Sequence, residues 1–113
     1  MDIIGQADVD PDVALPEGLS RVAAQNLTDL SPWHIMPREM VIKRTQGLRE
    51  RYSARYVPFA RRQDNDDLAC LEPSTAAVVI VHDFSDEGTE RRESFATFWH
   101  WFRAAVEDMI AFE

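Results

Sequence analysis

The sequence predicts an α+β fold in which a small antiparallel sheet of three or more strands is packed by N-terminal and C-terminal helices. Three short apolar runs between Tyr56 and Phe84 are separated by turn-forming residues, as in a meander of strands. Apolar residues recur at helical spacing on both sides of this segment, over 16–30 and 94–110. With 113 residues and 45% hydrophobic content, the chain can form one domain with its own core.

The N-terminal part divides into an arm and a helix. Residues 1–14 hold four Asp and one Gly without a sustained period, so we expect a flexible acidic arm followed by a single domain over 15–113. Pro16 and Glu17 favour a helix start, because proline lacks an N–H that is unbonded there anyway and an acid suits the helix dipole. Steps of three and four between apolar residues predict that this helix runs to about Leu30.

A break and a second helix are expected next. The residue before a proline avoids the helical region, so Ser31-Pro32 predicts a break. The segment 33–36, with Trp33, predicts a compact apolar connector that ends at Pro37. Residues 38–52 combine one apolar face with an Arg-rich face and predict a helix, with a possible break near Gly47 because glycine weakens helices.

Three strands are predicted in the central segment. Pro58 marks the first as an edge strand or as a strand start, because proline cannot donate to the ladder. The third carries four β-branched residues in succession, which predicts a central strand covered on both faces or a strand with a helix on one side. The connections are short enough for antiparallel hairpins. The predicted strands are Tyr56–Ala60, Leu68–Leu71 and Ala77–His82.

The C-terminal part predicts a polar loop and a last helix. The loop is expected over residues 85–93, with Ser94 as the helix N-cap. Trp99 lies on the apolar stripe of this helix and is expected in the core, whereas Trp101 lies near the edge of the stripe and could be a partly exposed anchor. The stripe consists of Phe95, Phe98, Trp99, Phe102, Val106, Met109 and Ile110.

Charge limits the classes of partner. The net charge of −8 argues against general nucleic-acid binding. Residues 38–62 hold eight of the twelve basic residues, and the segments on both sides are acidic. Either the basic segment packs against acidic ones within one fold, or the protein has a basic face and an acidic face, one of which meets a partner. Arg61 and Arg62 could grip phosphate, but nucleic-acid modules add stacking aromatics or a Gly-rich loop, and the C-terminal acids oppose binding.

Cysteine content and hydropathy bear on the cellular setting. Cys70 is the only cysteine, so no intrachain disulfide can form, which fits a reducing, cytoplasmic compartment. No stretch has the length and apolarity of a membrane span, and the acidic N-terminus lacks the features of a signal peptide. We therefore expect no membrane partner.

Two groups of residues could carry chemistry. The acids at 64–67 could bind a hard cation, but they lack the spacing and the glycine of a calcium loop, and a turn stabilised by Asp and Asn side chains is the simpler interpretation. His82 beside Asp83 could be an oriented base with Cys70 as nucleophile, but a thiol buried in an apolar strand is inert. A hydrolase or metal-dependent enzyme would need His82, Asp83 and the 64–67 loop in one pocket. We expect no cofactor and no metal.

The motifs PFARRQDNDDLAC and VVIVHDF, followed by an acidic loop and by SFATFWHWF, resemble the SUKH superfamily. This superfamily comprises the Smi/Knr-type regulators of cell-wall assembly and related bacterial immunity proteins. The similarity covers about Leu15 to the end and includes Trp33. It implies an α+β fold and a non-enzymatic role, in which bacterial members neutralise toxins, many of them nucleases, by direct binding.

An acidic surface is suited to such a role, because it can complement a cationic nuclease and steer association. We expect the recognition face to be formed by loop residues at the sheet ends, with the alternative that the chain is a regulatory or scaffold protein bound to a housekeeping partner. The expected partner-binding residues are Asp64, Asp66, Asp67, Asp86, Glu87, Glu90 and Trp101.

Overall fold

A computed structural model describes residues 2–112 and confirms the α+β class. Six strands form one antiparallel sheet in chain order, and helices pack around it. The strands are β1 Asp29–Leu30, β2 Trp33–Ile35, β3 Val57–Arg62, β4 Asp67–Leu71, β5 Val78–His82 and β6 Arg91–Phe95. The helices are α1 Glu17–Ala24, α2 Arg38–Arg51 and α3 Phe98–Ala111, with a short 3-10 helix at Gln6–Asp8.

Both faces of the sheet are covered. Residues 78–81 of β5 are all buried, although successive side chains of a strand point to opposite faces. On one face Trp101 of α3 packs edge-on against Trp33 and Phe59, with ring centroids 5.7 and 4.9 Å apart. On the other face α2 packs against β3, and its Arg44 lies near the buried thiol of Cys70. The predicted central strand covered on both faces is therefore confirmed.

The first helix is shorter than predicted. α1 ends at Ala24, because Asn26 adopts a left-handed conformation with φ of 58°. The amide of Leu27 donates to the Val22 carbonyl, and that of Asn26 to the Ala23 carbonyl, which is the Schellman arrangement of a helix end. The chain then forms the short strand β1 and turns into β2, so the expected apolar connector around Trp33 is a strand.

Glycine and proline positions differ in part from prediction. α2 runs without a break through Gly47. β3 pairs with both β2 and β4, so the expectation that it is an edge strand is wrong. The alternative expectation, that Pro58 lies at the start of the strand, holds, because Pro58 is the second residue of β3. The register shifts between Pro58 and Ala60, and a bulge is where a sheet tolerates a proline without an N–H.

The predicted polar loop is partly a strand. Residues 91–95 pair with β5 as the edge strand β6, whose first four side chains are exposed, and this exposure explains their polar sequence. The N-cap of α3 is Thr97 and not Ser94, because the Thr97 hydroxyl accepts the His100 amide at 3.3 Å.

The buried face of α3 is rotated from the predicted stripe. Phe98, Trp101 and Ala105 are buried, and Trp101 is only 1% exposed. Trp99 is 46% exposed and Ile110 76% exposed. The expectations of a core Trp99 and a partly exposed Trp101 are therefore both wrong, because the sheet lies under the side of the helix that carries Trp101.

The N-terminal segment differs from the expected loosely held arm, because it packs onto the domain. Ile4 and Val13 are buried in the core. The Arg38 guanidinium donates to both carboxylate oxygens of Asp8, at 2.9 and 2.7 Å. Arg55 donates to Asp10 at 2.9 Å and also to Asp12, so three of the acids expected to be mobile are held by bases of the domain.

No helix within residues 2–112 has the length and apolarity needed to cross a membrane.

Candidate functional site

Two acidic loops meet at one end of the sheet. In an antiparallel meander the β3–β4 tip at 63–66 and the β5–β6 loop at 83–90 lie at the same end. The Asp83 amide donates to the Asp66 carbonyl at 3.1 Å. At the adjoining ladder position, His82 Nδ1 lies 2.7 Å from Asp67 Oδ1. We call these two segments together the acidic loop end.

Two residues that follow α2 hold the β5–β6 loop in place by hydrogen bonds. The Tyr52 hydroxyl donates to the Ser85 carbonyl at 2.8 Å. The Ser53 amide donates to the Glu87 carboxylate at 3.0 Å. These bonds join the loop to a buried aromatic and to the C-terminal end of α2, so its backbone has a defined position although many of its side chains are exposed.

The Glu90 carboxylate holds the β5–β6 loop from its buried side by accepting two hydrogen bonds. Its carboxylate accepts the buried Tyr56 hydroxyl at 2.7 Å and the Gly88 amide at 2.6 Å. Gly88 has a φ of 96°, a conformation that suits glycine. Glu90 itself is buried, so it holds the loop and does not belong to an exposed recognition face.

Asp83 forms a buried ion-pair network at the root of the loop. Its side chain is fully buried and accepts Arg51 Nε at 2.8 Å and Nη2 at 2.7 Å, with Arg44 Nη2 at 3.4 Å. The amide of Phe84 donates to Asp83 Oδ1 at 2.9 Å. A buried carboxylate needs such partners, because an uncompensated buried charge is strongly destabilising.

Phe84 is the most unusual residue of the acidic loop end. It is 68% exposed and has a φ of 67°. A bulky residue in the left-handed region is a genuine outlier and costs about 1–2 kcal/mol of backbone strain. Arg51 Cζ lies 4.4 Å from the ring centroid, in cation–π distance. The same guanidinium that binds buried Asp83 therefore also supports the exposed ring.

The predicted acidic residues fall into three groups. Asp66, Asp86 and Glu87 have exposed side chains at the acidic loop end. Asp64 is paired with Arg62 at 2.7 Å, which compensates part of its charge, and Asp67 lies 2.7 Å from His82 Nδ1. The Arg62 guanidinium lowers the pKa of Asp64. Glu90, as described, and Trp101 are buried, and Trp101 lies on the side of α3 that packs against the sheet.

The residues considered for catalysis do not converge. Cys70 is fully buried, and burial raises the pKa of its thiol well above the usual value. His82 faces Asp67, whereas Asp83 faces Arg51. The Asp67 amide donates to the Asn65 side chain at 2.8 Å, which confirms the interpretation of 64–67 as a turn. Within residues 2–112 no group of three or more His, Cys, Asp or Glu side chains is placed to hold a metal ion.

The basic segment packs against acidic segments within the fold. The pairs Arg38–Asp8, Arg49–Asp10, Arg55–Asp12, Arg62–Asp108 and Arg51–Asp83 all join residues 38–62 to acids outside that range. The first of the two charge interpretations is therefore confirmed for these bases. Among the acids outside these pairs, Asp66, Asp86 and Glu87 are exposed at the acidic loop end.

An apolar groove lies at the opposite end of the sheet. It has a volume of about 490 Å³ between the start of α1, the β4–β5 turn and the start of α3. Leu15, Phe98 and Trp99 line it, together with small side chains of the turn. It has no His or Cys and is separate from the acidic loop end.

The fold and this site define a small α+β domain with a preformed, acidic loop surface. No family model, no curated protein and no solved structure gives a significant match to the chain.

Proposed function

We propose that this chain is a non-enzymatic protein-binding module, and specifically an immunity protein that neutralises a toxin by direct binding at the acidic loop end. The observation that carries the proposal is the junction of two acidic loops through the Asp83–Asp66 backbone bond. The exposed acids Asp66, Asp86 and Glu87 belong to these two loops. The SUKH resemblance supports the same class of function and stays a prediction.

The charge of this surface favours a cationic partner such as a nuclease. Electrostatic potentials of opposite sign on two partners raise their association rate by roughly 10-fold or more at low ionic strength. The carboxylates of Asp66 and Asp86 contribute most. Those of Asp64 and Asp67 already have cationic or polar neighbours within the fold, and that of Glu87 accepts the Ser53 amide. Binding over a nuclease cleft would also exclude its substrate, which is how a non-enzymatic protein can neutralise an enzyme.

The proposal is tested by affinity capture from the source organism, followed by binding kinetics at several salt concentrations. The purified chain should retain one basic protein, and the association rate should fall as salt rises. The variant Asp66→Asn/Asp86→Asn/Glu87→Gln should associate about 10-fold more slowly at low salt. A matched control carries the same change of charge at exposed acids that make no ion pair within residues 2–112, namely Glu17→Gln/Glu39→Gln/Glu107→Gln.

The outcomes separate the candidate functions. Slower association for the loop variant only, together with inhibition of the captured enzyme by the wild-type chain, supports immunity. Equal association of the loop variant and wild type would reject the acidic surface. Capture of a housekeeping complex without toxin activity would replace immunity by the regulatory or scaffold role.

A further inference from the structure

We infer that Phe84 is the apolar anchor of this interface and that the partner presents an apolar pocket bordered by cationic groups. The inference rests on the proposed function and adds the chemistry of the contact. It starts from three observations on one residue: an exposed ring, a left-handed backbone and a fixed support.

The exposure of the Phe84 ring and the backbone conformation of this residue both argue against a purely structural role. A side chain that is 68% exposed contributes little to the core. At a φ of 67°, glycine or asparagine would be less strained than phenylalanine. Strained residues that persist in a fold are concentrated at binding and catalytic sites.

The support fixes the ring before any partner arrives. The Phe84 amide is bound to buried Asp83, and the ring lies against Arg51, which is itself held by two bonds to that carboxylate. The next residue, Ser85, is held by Tyr52. A rigid aromatic side chain loses little conformational entropy on binding, and large aromatics in partner pockets are typical hot spots.

The charges near Phe84 determine which groups should border the pocket of the partner. Asp86 and Glu87 follow Phe84 in the same loop, and Asp66 belongs to the loop that is bonded to it. A pocket that receives the ring would therefore meet these three carboxylates and also the exposed Arg92 guanidinium, which donates to this loop at 3.2 Å. Cations at the rim of the pocket would complement the acids. The acids should set mainly the association rate, and Phe84 the dissociation rate.

The first test needs no partner. Phe84→Gly removes an exposed ring at a backbone conformation that suits glycine, so Tm by circular dichroism should stay within about 3 °C of wild type. A fall of roughly 10 °C or more would show that the ring mainly stabilises the fold and would overturn the inference.

The second test uses the protein captured by the wild-type chain. Phe84→Gly should raise the dissociation rate about 30-fold or more and leave the association rate and its salt dependence nearly unchanged, since anchors act mainly on dissociation. The loop variant Asp66→Asn/Asp86→Asn/Glu87→Gln should show the opposite pattern. Trp99→Ala is the aromatic control, because Trp99 is partly exposed beside the groove at the other end of the sheet.

The outcomes distinguish this inference from the proposed function. Unchanged dissociation of Phe84→Gly, with slower association of the loop variant, would overturn the anchor and leave the acidic interface intact. Faster dissociation of Phe84→Gly, with no effect of the loop variant, would support the anchor and reject electrostatic steering. Failure of the wild-type chain to bind any protein saturably would overturn both.

Discussion

Glu90 is a buried hydrogen-bond acceptor at the end of the β5–β6 loop. Burial by itself raises the pKa of Glu90, but the hydrogen bonds from Tyr56 and from backbone amides outweigh it, so the pKa lies below its usual value. The same contact and burial raise the pKa of Tyr56 far above its usual range. The carboxylate is therefore charged at neutral pH and depends on neutral donors for its stability.

Tyr56→Phe should destabilise the fold by about 1.5–3 kcal/mol, because it removes a buried hydrogen bond to a charged group. Tyr52→Phe is the matched control, since its hydroxyl donates to the uncharged Ser85 carbonyl, and it should cost about 0.5–1.5 kcal/mol. Urea denaturation measures both. A larger loss for Tyr52→Phe than for Tyr56→Phe would show that the charge of Glu90 is not what makes this bond important.

The Asp8–Arg38 pair should make stability depend on acid pH. The bonds from Arg38, and then from the Gly5 amide, lower the pKa of Asp8 from 3.8 to about 2. A lowered folded-state pKa stabilises the fold above pH 3.8, and this contribution is lost as pH falls toward 2.

The difference in free energy of unfolding between wild type and Asp8→Asn should therefore be constant above about pH 5 and shrink between about pH 4 and 2. Urea denaturation across this range measures it. Arg38→Gln, which removes the main partner, should remove most of the same pH dependence. A difference that does not change with pH would mean that Asp8 stabilises the fold through packing.

At the level of elements, apolar runs predict buried strands better than they predict the buried face of α3. β5 has four successive β-branched residues, a pattern typical of a strand that is covered on both faces. The face of α3 was missed, since Trp99 and Trp101 have equal hydrophobicity and only the position of the sheet decides between them. The strand β6 was missed because a sheet edge has polar side chains, like a loop.

The contact of α1 with α3 depends on a glycine that periodicity cannot reveal. A Cβ built on Gly18 would lie 2.6 Å from Phe98 Cδ2 and 2.9 Å from Trp99 Cε2. Real Cβ atoms do not approach so closely, so the Phe98 and Trp99 rings, or the helices that carry them, must shift to admit a side chain.

Gly18→Ala should therefore destabilise the fold by about 1–3 kcal/mol, although alanine favours helices over glycine. Ser20→Ala, at an exposed position of the same helix, should be neutral or slightly stabilising. Urea denaturation compares the two variants. Greater stability of Gly18→Ala would mean that the α1–α3 contact adjusts without cost.

The candidate site was predictable only in part. The two acidic loops were indicated by composition, and the meander placed them together. The burial of Glu90 and the left-handed conformation of Phe84 depend on partners more than thirty residues away, Tyr56 and Arg51. The only signal for Phe84 is an aromatic residue directly after the acid that follows β5, and buried phenylalanines share that pattern.

For the whole molecule, the N-terminal segment is part of the domain. Its apolar side chains enter the same core as the sheet and helices, and its acids pair with α2 and Arg55. Surface pairs contribute about 0–1 kcal/mol each, so the burial of Ile4 and Val13 is the larger effect.

Ile4→Ala should therefore destabilise the whole domain by about 2–5 kcal/mol, and unfolding should stay a single transition. Denaturation followed both by tryptophan fluorescence and by circular dichroism measures this, because the tryptophans report on the core remote from residue 4. Ala7→Gly, at an exposed position of the 3-10 helix, is the control and should have a small effect. Unchanged stability of Ile4→Ala would show that the segment is dispensable.

Cys70, the one thiol of the chain, lies completely enclosed in β4. A thiol reagent can reach it only when the strand separates from its neighbours, so its modification counts opening events in an otherwise native sample. We expect modification at least about 10³-fold slower than in denaturant. The rate of Cys70 modification therefore measures how often the folded chain opens, and binding of a partner should lower this rate.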